Sequence, residues 1–495
     1  MLEPVQSIDG PTNVSVDEHH HHRRWLILGI LALAQLMVVL DATVVNIALP
    51  TAQQALGFSN SDRQWIVTAY ALAFGGLLLF GGRLSDLIGR KRALIIGMSG
   101  FAVASAIGGA STSFAMLAIS RAIQGSFAAL LAPAALAMLT TTFLDPDERR
   151  KAFGVYGAVA GAGGGIGLLL GGVLTEYVSW RWCLYINVPI ALFAVAATAI
   201  LMRQHERPHG VTIDVAGTLA VTTGLVAIVY GLANVATSSW SDPWTVGPLV
   251  GGVALLGVFV LIELRVAHPL LPMRVVLDRN RGGSFIAFAL AGAGMLGVFL
   301  FLTYYFEKTL GYSPVKTGIA FLPMIGSVMV SANLATVVLT RRLGTRTVLS
   351  TGMALAAIGM AMFTRIGVTS SYGSVILPAL IVAGIGIGFI FAPGLAAATS
   401  GISGSDAGVA SALMNVTQQV GGSIGIAFLN TIAVSAASSY IARQTPSSEL
   451  EAMAAVHSYI VTFWWSAGIF TVGAIISVLL FTKVEEPPPV SDGVI

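Results

Sequence analysis

The stretch WLILGILALAQLMVVLDATVVNIAL, residues 25–49, decides the fold, because it is long and apolar enough to cross a membrane as one helix. A single carboxylate, Asp41, interrupts it. A charged side chain at the centre of a membrane helix costs roughly 2.5 kcal/mol or more, so an acid there usually marks an ion or proton pathway. A second interpretation is that Asp41 lies shallow, is solvated and only caps a bend. We favour a functional acid with a partner elsewhere in the chain.

The composition extends this character to the whole chain. Of its 495 residues, 55% are hydrophobic and only 10% are charged, whereas soluble domains carry about 25% charged residues. Fourteen apolar stretches have the length of a membrane span, which predicts an all-α, polytopic membrane protein with 14 transmembrane helices. The net charge of +3 fits loop arginines beside a membrane and does not indicate nucleic-acid binding. The single cysteine, Cys183, excludes an intramolecular disulfide.

The positive charges predict the orientation, because cytoplasmic loops are enriched in Lys and Arg. With both termini in the cytoplasm, 19 of the 26 Lys and Arg lie on that side, and Arg121 lies inside a helix. The six assigned to the outer side are Arg63, Arg181, Lys308, Lys316, Arg365 and Arg443. We therefore expect a multi-pass protein of the plasma membrane with two cytoplasmic termini.

A weak internal repeat predicts the domain organisation. The segment LAPA at residues 131–134 recurs as FAPG at residues 391–394, and the turn around Gly89 recurs around Gly344. Two related membrane halves with a site between them are the plan of many secondary transporters. The expected divisions are a cytoplasmic tail (1–24), an N-terminal six-helix bundle (25–203), an inserted two-helix hairpin with its loops (204–281), a C-terminal six-helix bundle (282–483) and a cytoplasmic tail (484–495).

Arg121 is the expected partner of Asp41. At 1.5 Å per residue, both lie about 11 to 12 Å below the outer ends of their predicted helices. A static pair that locks two helices is one interpretation, although desolvation offsets most of the attraction in a buried pair. A pair that separates and re-forms during proton transfer is the other, and we favour it. The corresponding positions of the second half, Val298 and Ile381, cannot ionise, so proton chemistry should belong to the N-terminal half.

Uncharged polar side chains within the spans predict a substrate cavity. They are Gln35, Asn46, Gln124, Asn415, Gln418 and Gln419. The last three follow i, i+3, i+4 spacing and therefore line one stripe of their helix. Any one of them could instead join helices through a hydrogen bond, typically worth about 0.6 kcal/mol. Taken as a set, they favour a central cavity.

The loop GGRLSDLIGRKR, residues 81–92, contains paired glycines and Asp86 in addition to the basic residues that would hold a cytoplasmic loop at the membrane surface. Asp86 lies between Arg83 and Arg90, and such a network can hold helices together in one conformation and break in another. We predict that Gly82, Arg83, Asp86, Gly89 and Arg90 act in conformational gating.

The fifth span, GAVAGAGGGIGLLLGG at residues 157–172, is rich in glycine. Small residues spaced four apart let helix backbones approach closely. We predict that Gly161, Gly165 and Gly167 form part of a tightly packed interface between halves that move, and we expect Gly161 and Gly165 to tolerate alanine poorly.

These motifs resemble those of the major facilitator superfamily. Its helix 2–3 signature is matched by Gly82, Asp86, Gly89, Arg90 and Lys91. The segment LDATVVNIALP at residues 40–50 resembles the helix 1 signature of the fourteen-helix drug:proton antiporter branch, RAIQG at residues 121–125 resembles the helix 4 signature, and SWRW at 179–182 with NVP at 187–189 resembles the helix 5–6 turn. One departure is Leu168, which stands where the antiporter signature of helix 5 has proline.

The resemblance implies alternating access in which proton influx drives export of amphiphilic drugs or antibiotics, with Asp41 and Arg121 coupling the proton. It implies no enzyme activity, no cofactor beyond the proton gradient and no metal, with a small amphiphilic molecule, protons and lipid as partners of a functional monomer. Three alternatives stay open: an exporter of an endogenous metabolite or lipid, an uptake symporter, and a membrane receptor that does not transport. The four histidines at residues 19–22 are compatible with low-complexity sequence, a residual tag or a metal-binding tract.

Overall fold

The computed structural model describes residues 13–143, 145–202, 214–235, 238–266, 269–271, 273–399, 404–445 and 449–481. Within these ranges the chain is almost entirely helical, and the prediction of an all-α fold is confirmed. The side chains of residues 13–23, including the four histidines, lie outside the described set, as does the predicted C-terminal tail 484–495.

The helices are α1 (Asn13–Leu56), α2 (Arg63–Ile88), α3 (Arg90–Gly109), α4 (Phe114–Thr142), α5 (Pro146–Tyr177), α6 (Trp182–Tyr185), α7 (Asn187–Leu201), α8 (Val215–Asn234), α9 (Pro243–Glu263), α10 (Met273–Val276), α11 (Arg279–Tyr304), α12 (Pro314–Leu334), α13 (Thr340–Phe363), α14 (Leu377–Thr399), α15 (Gly404–Ile441) and α16 (Leu450–Leu480). Short π-helical turns follow α11 and α12 and precede α14. Helix α1 begins inside the predicted N-terminal tail, and its membrane-spanning part begins at Arg24.

Thirteen of the described helical segments are long and apolar enough to cross a membrane, so a polytopic membrane fold is confirmed but the count of fourteen is not. The difference lies in Pro314–Phe363, a helical run of 50 residues. A straight helix of that length would measure about 75 Å, more than twice the roughly 30 Å of bilayer hydrocarbon. Gly344 interrupts the run with φ 78° and ψ 156°, which separates a first helix from a second.

The two halves turn with matching backbone conformations. Gly57 and Gly311 follow the first helix of each half with φ of 68° and 64°, and Gly89 and Gly344 precede the third helix with φ of 93° and 78°. L side chains rarely adopt positive φ, so glycine is required at these turns. The recurrence around Gly89 and Gly344 in the sequence therefore corresponds to a repeated turn.

The helix packing repeats in the same way. In the first half α2 and α3 pack on α4, and α1 packs on α5, while in the second α12 and α13 pack on α14, and α11 packs on α15. The halves meet where α2 lies against α15 and α5 lies against α12. One buried apolar cluster belongs to the first half, and a larger one joins both halves. The two six-helix bundles are thus pseudo-symmetric.

The inserted hairpin consists of α8 and α9, which pack on each other. Helix α8 contacts both halves: Thr222 donates its hydroxyl to the Gly76 carbonyl of α2 (3.2 Å), and Thr431 of α15 donates to the Leu232 carbonyl (2.7 Å). The hairpin therefore lies beside the α2–α15 interface.

Candidate functional site

Asp41 is buried at the centre of a hydrogen-bond network. Arg121 donates from Nη1 to its Oδ2 at 2.5 Å, while Gln124 and Asn187 each donate an amide hydrogen to its Oδ1 at 2.9 Å. Gln124 also donates to Ser105 Oγ. A carboxylate that accepts a guanidinium and two amide donors is stabilised in its ionised form, because charge-assisted hydrogen bonds are about twice as strong as neutral ones.

Arg121 is held as firmly as the acid. Its Nε donates to the Ile66 carbonyl at 3.2 Å, and Nη1 donates to Gln124 Oε1 at 2.9 Å. The guanidinium carbon lies 4.4 Å from the centre of the Tyr70 ring, which adds a cation–π contact. Arg121 therefore keeps partners if Asp41 becomes neutral, and these partners can retain it while the ion pair opens.

The predicted meeting of Asp41 and Arg121 is present, but the depth differs from expectation. Helix α1 continues through Pro50 to Leu56, so Asp41 lies near the middle of the span Arg24–Leu56. Proline inside a membrane helix is tolerated because neighbouring groups satisfy the freed backbone. A shallow, solvated Asp41 is excluded, since its exposed fraction is 1%.

Three members of this network were missing from the predicted site: Ser105, Asn187 and Tyr70. Each is buried on a different helix of the first half. Asn187 was visible in the sequence only as part of the NVP turn at residues 187–189, and its position two residues before a proline at the start of α7 was the available signal. The buried Tyr70 hydroxyl has no hydrogen-bond partner.

The predicted cavity residues separate into two groups. Gln124 and Asn46 are buried in the first half, where the Asn46 amide donates to the Ala42 carbonyl and its Oδ1 has no hydrogen-bond partner. Gln35 is half-buried and accepts a hydrogen bond from Tyr156 at 2.8 Å. The side chains that remain accessible on the second half are Asn415, Gln418 and Gln419, all on α15. The structure thus brings Gln124 to the ion pair and not to a cavity wall.

The halves are joined at one end, which we call the closed end. Among the described residues, hydrogen bonds cross between the halves there from Tyr304 to Gln53 (2.5 Å), Arg63 to Asn430 (3.2 Å), Asn430 to the Asn60 carbonyl (3.4 Å) and the Val315 amide to Glu176 (3.0 Å). Arg63, predicted as a loop cation, is buried, with its guanidinium 4.3 Å from the Tyr304 ring centre and 5.5 Å from that of Phe301. The prediction counted its charge but missed the aromatic residues that cover it.

Known proteins share this architecture. The model of the Major Facilitator Superfamily matches residues 31–426. This chain belongs to the Major Facilitator Superfamily. It is 47% identical over 466 residues to a puromycin resistance protein of Streptomyces alboniger, covering 94% of this chain and 92% of that one, and 39% identical over 403 residues to a cephamycin export protein of Amycolatopsis lactamdurans, covering 81% and 83%. A solved structure of an auto-inhibited POT family peptide transporter shares the fold, with TM-score 0.68, 16% identity and coverage of 94% of this chain and 99% of that one.

In this transporter of the superfamily, the predicted gating loop joins α2 to α3. Asp86 Oδ1 lies 3.4 Å from Arg90 Nε, and Arg90 also donates to the Ala137 carbonyl at 3.2 Å. Arg83 does not contact Asp86; its Nη2 donates instead to the Pro269 carbonyl at 3.2 Å. The network in this conformation is therefore smaller than expected, because Arg83 reaches the linker that follows α9.

The remaining predicted glycines differ in how tightly they pack. Gly82 has ordinary room beside Pro133, with a built Cβ 3.6 Å away. A Cβ on Gly165 would likewise meet Ile325 at 3.6 Å, which is normal contact, so in this conformation the packing gives no reason for Gly165 to tolerate alanine poorly. A Cβ on Gly167 would overlap Thr43 Oγ1. Gly161 lies in α5, and its surroundings fall outside the described set.

Among the described glycines of α5, Gly172 lies nearest to the backbone of the other half. A Cβ on Gly172 would come within 2.7 Å of the Pro314 carbonyl oxygen. The small-residue spacing identified the packed helix, but it did not identify which glycine meets backbone. Leu168, at the position of the family's proline, is fully buried within the continuous helix α5.

Proposed function

We propose that this chain exports amphiphilic antibiotics across the plasma membrane in exchange for protons. The observation that carries the proposal is the Asp41 network, in which a buried acid within the span Arg24–Leu56 is paired with Arg121. Intramembrane acids are costly and mark ion and proton pathways. Membership of the superfamily identifies the chain as a transporter. Asp41 is the group within it that can bind and release the transported proton.

The coupling follows from competition for Asp41. With the pair closed, Arg121 stabilises the ionised carboxylate, so Asp41 takes a proton only when the pair separates. Arg121 then stays on the Ile66 carbonyl and the Tyr70 ring. A substrate that binds beside the pair favours its closed form and expels the proton.

The proposed orientation has the closed end outside and both termini in the cytoplasm, because most Lys and Arg of the loops lie at the opposite end. The described conformation is then inward-facing. Opening outward requires loss of the hydrogen bonds that join α1 and α2 to α11 and α15, and closure at the gating loop around Asp86. Gly82, Arg83, Gly89, Arg90 and the glycines of α5 would serve that movement.

The substrate class rests on two observations. Both relatives reported above carry names of antibiotic resistance or export. The accessible polar side chains of α15, Asn415, Gln418 and Gln419, are uncharged, and a dication beside a single acid would leave one charge unpaired at low dielectric. Neutral or monocationic amphiphiles are therefore the preferred substrates. We further propose that the transporter acts as a monomer.

The test uses purified protein in liposomes whose lumen is more acidic than the bath, with radiolabelled puromycin outside. Protein-free liposomes measure passive trapping of this basic drug. An antiporter accumulates puromycin beyond that level, and a protonophore removes the excess. Uptake that requires an acidic bath identifies a symporter. No excess for puromycin and for cephamycin in either gradient would contradict drug export and favour an endogenous substrate or a receptor.

A further inference from the structure

A second pair of buried acids lies in the inserted hairpin, far from Asp41 in the chain. Asp214 immediately precedes α8, and Glu263 is the last residue of α9, so both lie at the end of the hairpin that continues into the loops. Their exposed fractions are 8% and 4%. The packing of α8 on α9 brings these two ends together.

Each acid uses one oxygen and leaves the other without a partner. Asp214 Oδ1 accepts the Gly217 amide hydrogen at 2.8 Å, and Glu263 Oε2 accepts that of Leu271 at 2.9 Å. Asp214 Oδ2 and Glu263 Oε1 are buried with no hydrogen-bond partner. Buried polar atoms are nearly always satisfied, so two such oxygens require an explanation.

The two free oxygens face one small space above Gly217. A Cβ built on Gly217 would overlap Asp214 Oδ2 and lie 3.2 Å from Glu263 Oε1. Glycine at this position therefore leaves the space between the carboxylates open.

Among the described residues, neither acid forms an ion pair. The charged groups on the surrounding segments are Arg83 and Asp86 on α2, Arg265 after α9 and Arg274 on α10, and the charge of Arg83 acts on Glu263 without direct contact. Arg83 donates its hydrogen bond to the Pro269 carbonyl, two residues before Leu271. Two ionised carboxylates in this setting would repel each other and lack solvation, which is expensive.

We propose that Asp214 and Glu263 share one proton and form a second proton-binding site in the inserted hairpin. The proton bridges Asp214 Oδ2 and Glu263 Oε1, which satisfies both oxygens and leaves one net negative charge. In the orientation of the proposed function, on which this step rests, the proton leaves to the cytoplasm. The two carboxylates then repel each other, and Arg83 can replace its hydrogen bond to the Pro269 carbonyl with one to a carboxylate. The hairpin would thereby connect cytoplasmic pH to the gating loop predicted around Arg83.

The experiment is infrared difference spectroscopy on the purified full-length protein at neutral pH. The carbonyl-stretch band of protonated carboxylic acids should be present in wild type and weaker, by the same component, in Glu263→Gln and in Asp214→Asn. Glu307, whose buried Oε1 also lacks a hydrogen-bond partner, can contribute a component that neither substitution removes. Both replacements keep the side-chain shape, and the amide can donate to the remaining carboxylate. Asp41→Asn should leave this band unchanged, which separates the site from the proposed transport acid.

A second readout is thermal stability against pH. Wild type should lose stability as the pH rises and the pair ionises, and Glu263→Gln should flatten this dependence. The proposal is overturned if neither substitution weakens the wild-type band and Glu263→Gln leaves the pH dependence of thermal stability unchanged. So would a band that appears only when Na⁺, K⁺ and Mg²⁺ are withdrawn, because the carboxylates would then bind a cation.

Discussion

The first helices of the two halves, α1 and α11, bury different kinds of side chain. Asp41 on α1 and Val298 on α11 are each 1% exposed, yet the acid accepts hydrogen bonds from donors on two other helices, α4 and α7, whereas the valine lies in an apolar cluster with Phe299 and Phe301. The paired turns at Gly89 and Gly344 show that the backbone plan is shared. Fold symmetry therefore does not require chemical symmetry.

The largest effect is expected when an acid is placed in the second half, which tests whether that half can bury charge. Val298→Asp should destabilise the protein by several kcal/mol, because the new carboxylate has no guanidinium or amide partner. Val298→Asn is the matched uncharged control and should cost less. The measurement is thermal unfolding of purified protein in detergent. Equal stability of Val298→Asp and wild type would mean that the second half also accommodates charge.

The next effect concerns two glycines of α5 that face α12. Gly172→Ala places a methyl group against the Pro314 carbonyl and should destabilise the closed end by about 1 to 3 kcal/mol, as overpacking does elsewhere. Gly165→Ala meets only ordinary contact with Ile325 and should transport at close to the wild-type rate. Initial rates in liposomes at matched protein density compare them. Equal rates for the two variants would remove the close-packing argument.

An effect of similar size is expected at Asn187. Asn187→Ala removes one of three donors to Asp41, and a hydrogen bond to a charged group is worth about 1.5 to 3 kcal/mol. The ionised carboxylate loses one of its hydrogen bonds, so the pH profile of transport should move upward. Asn187→Asp would add repulsion and move it further. A profile identical to wild type in Asn187→Ala would exclude a positioning role.

The smallest effect on stability is expected at the gating loop. Asp86 and Arg90 are partly exposed at 3.4 Å, and such pairs contribute only about 0 to 1 kcal/mol. Asp86→Asn should therefore leave the melting temperature and substrate affinity nearly unchanged while slowing transport, if the loop acts in the other conformation. Normal transport by Asp86→Asn at equal expression would remove the gating role.

The features that follow from composition and from the pairing of buried charges could be predicted from the sequence. Asp41 and Arg121 could be paired because opposite charges inside spans need each other. Asn187 and Ser105 could not be assigned, because their contact with the network depends on how each helix is rotated. Arg63 was counted as a loop cation, since only the assembled closed end reveals the rings of Tyr304 and Phe301 around it.

The central claim is that Asp41 carries the exchanged proton, and substrate-induced proton release tests it most directly. Puromycin is added to detergent-solubilised protein in weakly buffered solution, and the pH change is recorded for wild type, Asp41→Asn and Asp41→Glu. We expect release from wild type, reduced release from Asp41→Glu and none from Asp41→Asn, with drug binding by Asp41→Asn verified separately. Undiminished release from Asp41→Asn would show that the proton binds elsewhere and that Asp41 is structural.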